Sequence, residues 1–496
     1  MTSFGTFKTV LERKAFLILA TLFVVGLAAT CVVLPWSYVH WIDDVMINEF
    51  GRFPIGAHQF EWNMNWYPFA VQNSQTSVPF YLGGALLEIG YRLFGEIGPR
   101  CLVFSIFVLS VLLLFLYLKR KTSNKVLAAL MALMYFSYPA IQVSVRGARV
   151  DMVAMAFVIA ALLTLQFKPR TFCGRAVLFG VIGALCAIGG FVWISVTLVA
   201  PVVLWEMLEY FQVNRIALKE RMLLLVAAGV GAVIAALVIL IPFYPVLDRV
   251  LEVLRLNMEM GTGHAKGGFM VKEFLESFLS YPGFFAIGLV LLCFKRRLWV
   301  MALGSWLLIF LCIRTNFYIN RMIYFLPAAI IGMAVFYQEC RTTVARKVVV
   351  GLLVLMAALS YGRTCVLRNL IDWHSKPCRD YAGLTRYMER EIGRDVRIYN
   401  SSFTLYYVGR DLGWRQFRAT GMSEIPPEKL RGEFDCYICD EKAVTPDLDR
   451  QMREMGFNSS KVLNEHVRYP SSWLGRLLYR TGRMVPILGA YRVYKR

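Results

Sequence analysis

The sequence has few charged residues for its length. Only 18% of its 496 residues are Asp, Glu, Lys or Arg, whereas 57% are hydrophobic, and the mean hydropathy is +0.53. Soluble domains have about 25% charged and about 45–50% apolar residues. This composition excludes an ordinary soluble globular protein and a disordered chain, and it predicts a polytopic membrane protein.

Acidic residues are scarcer than basic ones. The chain has 33 acidic and 54 basic side chains, which gives a formal net charge of +21. In a soluble protein such an excess would suggest a nucleic-acid partner. Here the basic residues lie between apolar runs, and no helix-turn-helix, RNA-binding or zinc-finger pattern accompanies them. Because cytoplasmic loops of membrane proteins are enriched in Lys and Arg, we expect the lipid bilayer as a partner and no nucleic acid.

Metal-binding patterns are also absent from the sequence. There are only five histidines, and no two of them have the spacing of an HxxH or HExxH motif. Cys436 and Cys439 form a CxxC, but no second CxxC completes a zinc site. A disulfide from this pair to Cys365 or Cys378 is the alternative in an oxidising compartment. We predict no structural zinc site.

Eleven apolar runs are long enough to cross a bilayer, given that shorter spans occur inside bundles. The first follows Lys8, Arg13 and Lys14 and has no small-residue cleavage motif, so we expect an uncleaved span. The predicted spans are 15–35, 101–118, 126–143, 150–167, 176–190, 192–210, 222–242, 282–294, 298–313, 322–338 and 348–365.

The distribution of cations predicts the orientation of these spans. With a cytoplasmic N-terminus, every inside segment has at least three cations and the short outside turns have fewer. This topology places three long segments outside, namely 36–100, 243–281 and 366–496. The stretch 79–95 is apolar, but Glu88 and Arg92 interrupt it, and we predict an interfacial helix there. We expect a multi-pass protein of the plasma (inner) membrane.

The predicted domains follow from this topology. Residues 1–365 form a transmembrane domain, and residues 366–496 form a small extracytoplasmic α/β domain with a helix near 380–393 and strands at 396–399 and 434–439. Near the end of the chain, helically spaced apolar residues are accompanied by basic ones. We expect this helix to lie on the membrane surface, and a plain solvated helix is the alternative. Its apolar residues are Trp473, Leu474, Leu477 and Leu478.

The first outside segment contains paired carboxylates. Asp43 and Asp44 follow the end of the first predicted span by a few residues. Two adjacent carboxylates at a membrane edge suit a general base or a divalent-cation ligand, because like charges in a desolvated site raise the pKa of one group. A solvated helix cap is the alternative interpretation of this dipeptide.

Cations also stand at the predicted outer ends of two spans, where the positive-inside rule disfavours them. Arg146, Arg149 and Asp151 lie at the start of the fourth span, and Arg321 and Tyr324 lie at the start of the tenth. Guanidinium groups match phosphate oxygens, so these residues are candidates for a phosphate clamp. An Arg149–Asp151 ion pair, or cations reaching lipid headgroups, would explain the same pattern.

The outside segment 257–273 is rich in glycine and contains His264, Lys266 and Lys272. Four glycines among polar residues predict a mobile segment, which could close over an anionic ligand. A flexible connector without a ligand is equally compatible with this composition.

Taken in order, these motifs resemble the GT-C superfamily of lipid-dependent glycosyltransferases. The likeness is to the dolichyl-phosphate-mannose protein mannosyltransferases and bacterial aminoarabinose transferases. The matching features are Asp43-Asp44, the segment from Pro79 to Leu93-Phe94-Gly95, Arg100-Cys101-Leu102, Arg146-Gly-Ala-Arg149-Val150-Asp151, and Arg321 to Pro327. Val150 replaces the usual proline of the fourth motif. Val78 stands where the aminoarabinose transferases have a lysine, which argues against lipid A as acceptor.

The resemblance implies a GT-C fold and transfer of one sugar, with inversion, from a polyprenyl-phosphate donor to an extracytoplasmic acceptor. The acceptor would be an envelope glycolipid, a polysaccharide or a protein hydroxyl. Asp43 would be the general base, and Asp44 would orient it or bind the acceptor. The resemblance identifies no certain cofactor, and a divalent cation bound by the two aspartates stays open.

The remaining candidate residues receive roles in donor binding from the same resemblance. Arg146, Arg149 and Arg321 would stabilise the leaving phosphate, and His264 and Lys266 would close over the donor. Asp151 and Tyr324 would support them. The alternative functions are a membrane transporter or lipid flippase and a non-catalytic scaffold. Transporters commonly show internal repeats and midplane polar sites, and the sequence shows neither.

Overall fold

A computed structural model describes residues 2–37, 42–52, 78–246, 298–315, 321–340, 342–417, 434–480 and 488–496. Their contacts divide the chain into two compact units. The first unit comprises Met1–Val32, Arg100–Ile241 and Gly261–Arg368. The second comprises Val33–Pro99, Pro242–Met260 and Asn369–Arg496, so the first outside segment groups with the C-terminal part of the chain.

Helices make up most of the described chain. In the order of the sequence they are α1 (Thr2–Val33), α2 (Ile42–Arg52), α3 (Val78–Phe94), α4 (Gly98–Thr122), α5 (Lys125–Ser137), α6 (Pro139–Arg146), α7 (Asp151–Thr164), α8 (Phe172–Val192), α9 (Ala200–Val213), α10 (Leu218–Leu240), α11 (Trp299–Thr315), α12 (Met322–Glu339), α13 (Thr343–Tyr361), α14 (Arg368–His374), α15 (Tyr381–Glu391), α16 (Tyr406–Asp411), α17 (Pro446–Glu454) and α18 (Trp473–Arg480).

Among the described residues, seven helical segments are long and apolar enough to cross a membrane. An eighth is present if the bent pair α5 and α6 forms one span, and α7 and residues 299–313 of α11 are shorter apolar helices. Each of the ten predicted spans that fall on described residues coincides with one of these helices. The span predicted at 282–294 lies outside the described residues. The protein is an integral, multi-pass membrane protein, and its orientation stays a prediction.

The predicted span 126–143 is broken at Pro139. Helices α5 and α6 meet there at 53°. The residue before a proline favours an extended backbone, and Tyr138 has φ −64° and ψ +126°. Proline also lacks the N–H that would continue the helical hydrogen bonds. The break leaves α6 as a short helix that ends at Arg146.

Helices α8 and α10 pack with their backbones in close approach. A Cβ atom on Gly231 would lie 2.0 Å from the carbonyl oxygen of Gly180, and one on Gly183 would lie 1.8 Å from the carbonyl oxygen of Ala228. Small residues allow such proximity between helices in a membrane, where dispersion contacts hold helices together. Glycine at these positions is therefore required by packing.

We expect Gly231→Val to lower stability by about 1–3 kcal/mol, because the new side chain must push α8 and α10 apart. Gly229→Val is the matched control: it lies on the same helix, and nothing lies within 4 Å of an added Cβ. Thermal unfolding of the purified protein in one detergent measures both. Equal melting temperatures for the two variants would contradict the packing described here.

The second unit contains a five-stranded mixed sheet with the order β2-β1-β3-β5-β4. Its strands are β1 (Arg397–Asn400), β2 (Arg415–Phe417), β3 (Cys436–Asp440), β4 (Ser459–Leu463) and β5 (Tyr491–Lys495). Strand β1 runs parallel to β2 and β3, whereas β5 is antiparallel to β3 and β4. The strands predicted at 396–399 and 434–439 match β1 and β3, and the helix predicted near 380–393 matches α15.

Side chains alternate between the two faces of this sheet. Ile398 and Ile438 share one hydrophobic core with Leu384 of α15. Tyr437 shares the other core with Met452 of α17. The sheet therefore lies between two helical layers, and the prediction of a small α/β fold is confirmed.

The CxxC motif lies on β3 and places its sulfurs in different cores. Cys436 belongs to the core with α15 and Cys439 to the core with α17, because residues three apart on a strand face opposite sides. Both are buried free thiols, and burial raises the pKa of each to about 12. Cys365 and Cys378 are buried as well.

The helix expected near the end of the chain is α18. Leu478 is buried and Leu474 partly buried, and both pack with Ile371 and Cys378. Trp473 is 72% exposed and Leu477 is 44% exposed. The helix is therefore amphipathic as predicted, and its contact with the membrane surface stays a prediction.

Candidate functional site

A buried carboxylate in the first unit lies at the start of α7. Asp151 is 2% exposed, and both of its oxygens are occupied. Arg149 Nε lies 2.8 Å from Oδ2, and the Tyr324 hydroxyl donates to Oδ1 at 2.5 Å. The Ser144 hydroxyl lies 3.4 Å from Oδ2. A buried charge is tolerated when it is paired and hydrogen-bonded, and this one is both.

The turn between α6 and α7 brings Arg149 to Asp151. Ala148 in this turn is buried and has φ +54°, a left-handed conformation that costs a residue with a Cβ about 1 kcal/mol. Val150 has φ −73°, close to the angle that proline imposes. The backbone at Val150 is therefore compatible with a proline at this position.

Arg146 is held inside the first unit. It is 1% exposed; its Nη2 donates to the carbonyl oxygen of Thr364 at 3.3 Å, and its Nε lies 3.4 Å from Gln142 Oε1. Thr364 belongs to a π-helical turn, Gly362–Leu367, which follows α13. Such turns are rare and recur at functional sites, and a carbonyl oxygen of this one is the acceptor for Arg146.

Arg149 and Arg321 place positive charge around the Tyr324 hydroxyl. The Arg149 side chain is 18% exposed, and its guanidinium carbon lies 5.9 Å from the centroid of the Trp193 ring. Arg321 occupies the N-cap position of α12, without a side-chain capping hydrogen bond, and α12 carries Tyr324. Tyr324 follows Arg321 by three residues, about one helical turn, and Arg149 and Tyr324 bind the two oxygens of the same carboxylate. Of the predicted site residues, the structure thus brings together Arg149, Asp151, Tyr324 and Arg321.

The other predicted residues, apart from Arg146, belong to the second unit or fall outside the described residues. Asp43 and Asp44 are in the first turn of α2, which belongs to the second unit. His264 and Lys266 lie outside the described residues. Among the described residues, no group of three His, Cys, Asp or Glu side chains has the geometry to hold a metal ion.

The second unit contains a buried ionic group that the sequence analysis missed. Arg410 of α16 binds both carboxylate oxygens of Glu88 on α3, with Nη1 to Oε2 at 2.7 Å and Nη2 to Oε1 at 3.0 Å. Its Nη1 also donates to Asn48 Oδ1 on α2 at 2.7 Å. We call Arg410, Glu88 and Asn48 the Arg410 clamp. Glu88 interrupts an apolar stretch, and a charge in such a stretch commonly has a partner. Arg92, four residues further on, pairs with it at 2.9 Å and could be expected from the sequence, whereas Arg410 could not.

Tyrosines surround this clamp. The Tyr406 hydroxyl donates to Glu49 Oε2 at 2.6 Å, and the Tyr91 hydroxyl donates to Asp411 Oδ1 at 2.5 Å. The Arg410 guanidinium lies 3.7 Å from the centroid of the Tyr91 ring. Burial, and then the charge of Glu49, raise the pKa of Tyr406 well above its usual value. Tyr406 therefore stays a neutral donor to that carboxylate.

Comparison by sequence identifies no relative, since no protein-family model and no curated protein sequence matches the chain. Comparison by structure identifies proteins with a similar fold. The crystal structure of ArnT from Cupriavidus metallidurans bound to undecaprenyl phosphate has a TM-score of 0.57 and 14% identity, covering 96% of this chain and 97% of ArnT. Apo ArnT from the same organism has a TM-score of 0.56 and 18% identity, covering 99% and 98%. The chain has the GT-C fold.

The predicted GT-C fold is therefore confirmed, and the match extends over both units of the chain. At identities of 14% and 18% it is the fold that is shared. The GT-C fold accommodates the apolar helices of the first unit and the mixed sheet of the second. The chemistry has to be argued from the side chains of this chain.

Proposed function

We propose that the protein is a membrane glycosyltransferase that moves a single sugar from a polyprenyl-phosphate donor to an extracytoplasmic acceptor. The observation that supports this most is the group formed by Arg149, Asp151, Tyr324 and Arg321. It sets two guanidinium charges against one buried carboxylate, and the surplus of positive charge suits a phosphate. The fold adds support, because one of the similar ArnT structures contains undecaprenyl phosphate.

The proposed reaction is a single displacement at the anomeric carbon. The acceptor hydroxyl oxygen forms a bond to this carbon while the bond from the carbon to the phosphate oxygen breaks. Polyprenyl phosphate leaves with the electron pair of the broken bond, and the proton of the acceptor hydroxyl passes to Asp43. Attack from the side opposite the leaving group inverts the anomeric configuration.

Each residue has a role in this reaction. Asp43 is the general base, and Asp44 orients it or binds the acceptor. Arg149 and Arg321 stabilise the charge that develops on the leaving phosphate, and Arg146 adds its positive charge from its buried position against the carbonyl oxygen of Thr364. His264 and Lys266 close over the donor. Asp151 and Tyr324 fix Arg149, since a guanidinium anchored at Nε by a hydrogen-bonded carboxylate keeps its orientation.

The substrates are proposed by class. The donor sugar is a hexose or pentose, and the acceptor is an envelope glycolipid, a polysaccharide or a protein hydroxyl. The reaction takes place on the extracytoplasmic side of the plasma (inner) membrane. Asp43 and Asp44 are the carboxylates that would bind a divalent cation if the transfer reaction requires one.

Transfer by the purified protein tests the proposal. Full-length protein in nanodiscs is incubated with a panel of polyprenyl-phosphate sugars and an envelope extract, and release of polyprenyl phosphate is measured together with label in the product. We expect turnover with one donor. Absence of lipid phosphate release with every donor, together with lipid or solute movement in proteoliposomes, would instead identify a flippase or transporter.

We expect Tyr324→Phe to lower kcat about 10-fold, because Asp151 loses the 2.5 Å hydrogen bond that fixes it beside Arg149. A hydrogen bond to a charged group contributes about 1.5–3 kcal/mol. The matched control is Tyr494→Phe, which removes a 2.5 Å bond to Asp449 in the second unit. Steady-state kinetics of both variants measure the effect. Equal kcat values for Tyr324→Phe and Tyr494→Phe would contradict the assignment of Tyr324 to the proposed site.

A further inference from the structure

The Arg410 clamp joins three elements that are far apart in the sequence. Asn48 lies on α2, Glu88 on α3 and Arg410 on α16. The side chains of Arg410 and Glu88 are only 6% and 7% exposed, and Asn48 is fully buried. A bidentate guanidinium–carboxylate pair fixes the relative orientation of its partners as well as their distance. The clamp therefore determines how α16 meets the other two helices.

A second contact of α16 strengthens the hold on α2. Tyr406 and Arg410 are four residues apart, so they lie on one face of α16. Tyr406 donates to Glu49, and Arg410 donates to the preceding residue, Asn48. Two consecutive residues of α2 are thus bound by one face of α16.

Helices α2 and α3 also behave as one rigid pair. A Cβ atom on Gly51 would lie 1.8 Å from the carbonyl carbon of Gly84, and one on Gly84 would lie 2.1 Å from the carbonyl oxygen of Ile47. At such separations the two backbones are in direct contact, and neither helix can rotate about its axis alone. A displacement at Glu88 is therefore transmitted to α2.

We propose that Arg410 is a positioning residue for sugar transfer, which holds α2 so that Asp43 is presented in its reactive position. This inference rests on the proposed function. Asp43 precedes Asn48 by five residues, a rise of about 7.5 Å along the same helix. A continuous helix of this length is stiff, so the clamp at Asn48 sets the place of Asp43. The C-terminal domain then takes part in catalysis by orienting the base.

The effect on the reaction follows from the sensitivity of proton transfer to distance. A general base must be within hydrogen-bonding reach of the proton that it removes. A displacement of about 1 Å lowers a rate about 10²-fold. Donor binding depends on other residues, namely the arginines of the first unit. Loss of the clamp should therefore lower kcat and leave the KM for the donor nearly unchanged.

Full-length Arg410→Ala and Arg410→Lys proteins in nanodiscs test the proposal. We expect the alanine variant to lose about 10²-fold in kcat. The lysine variant should lose less kcat, because its ammonium keeps the positive charge but cannot bind both carboxylate oxygens as the planar guanidinium does. The matched control is Arg397→Ala. Arg397 also binds a carboxylate, Asp435, with two nitrogens, but their side chains are 45% and 50% exposed, and we expect wild-type kinetics.

Amide hydrogen exchange of residues 42–52 is measured on the same variants. We expect faster exchange in Arg410→Ala, intermediate exchange in Arg410→Lys and no change in Arg397→Ala. If Arg410→Ala does not fold, kcat and hydrogen exchange of Arg410→Lys test the proposal instead. A folded Arg410 variant with wild-type kcat, or with unchanged exchange over residues 42–52, overturns the inference.

Failure of the proposed function gives a different result. Wild-type protein would then show no turnover with any donor, and hydrogen exchange alone would decide whether Arg410 holds α2. If the clamp were only structural, the Arg410 variants would have a lower melting temperature, but they would not show the predicted fall in kcat at a nearly unchanged KM for the donor.

Discussion

Asp43→Asn is expected to lower kcat for sugar transfer by about 10²–10⁴-fold, because general-base catalysis contributes about that factor. The amide has nearly the size of the carboxylate but cannot take up the proton of the acceptor hydroxyl. Initial rates of polyprenyl phosphate release at saturating donor measure the effect. Asp44→Asn should have a smaller effect, since we assign Asp44 to orientation or acceptor binding.

The control for this substitution is Asp447→Asn. Asp43 and Asp447 are each the second residue of a helix, α2 and α17, so both changes remove one favourable charge from a helix N-terminus. The Asp447 side chain is 76% exposed. The control should keep wild-type kinetics.

The pH dependence gives a second readout for Asp43. Below the pKa of the base, kcat/KM should fall about tenfold per pH unit as the carboxylate is protonated. This acidic limb should disappear in Asp43→Asn. A folded Asp43→Asn protein with more than about a tenth of the wild-type kcat would exclude Asp43 as the general base.

Arg149→Ala is expected to lower kcat about 10²–10³-fold, the loss that follows removal of one preorganised group that stabilises developing charge. Stability should fall as well, because the substitution leaves Asp151 buried without the cation 2.8 Å away. Arg149→Lys should restore stability more fully than activity, since an ammonium replaces the charge but not the planar fork. Kinetics and thermal unfolding are measured on the same preparations.

Arg175→Ala is the matched control for Arg149→Ala. Arg175 pairs with Glu220 at 2.7 Å, also in the first unit, and their side chains are 22% and 24% exposed. Loss of this pair should cost little stability, because partly exposed pairs contribute about 0–1 kcal/mol. Transfer should continue at the wild-type rate. Equal losses in the two alanine variants would indicate that Arg149 acts only through general stability.

Much of the fold could be predicted because its causes are local in the sequence. A run of about 20 apolar residues must form a helix inside a bilayer, since backbone groups there can bond only to one another. Ten predicted spans therefore coincide with apolar helices. The break at Pro139 was not predicted, because the apolar run continues through the proline and hydropathy does not register a missing N–H.

The candidate site was predictable only in part. Arg149 and Asp151 are two residues apart, so their ion pair could be considered from the sequence. Their partner Tyr324 lies 173 residues beyond Asp151, and it was singled out by motif without any indication of what it would contact. Arg146 appeared equivalent to Arg149, but the structure buries it against a carbonyl oxygen of the π-helical turn.

The sequence by itself determined the membrane class, the spans and the α/β character of the C-terminal part, because hydropathy, charge bias and period-2 alternation act over a few residues. Only the tertiary structure decided that Glu88 meets Arg410, 322 residues away, and that α2 groups with the C-terminal domain. The physical reason is that a buried charge requires a partner but does not specify where in the chain that partner lies. Its identity is fixed only when the packing of helices brings one within hydrogen-bonding distance.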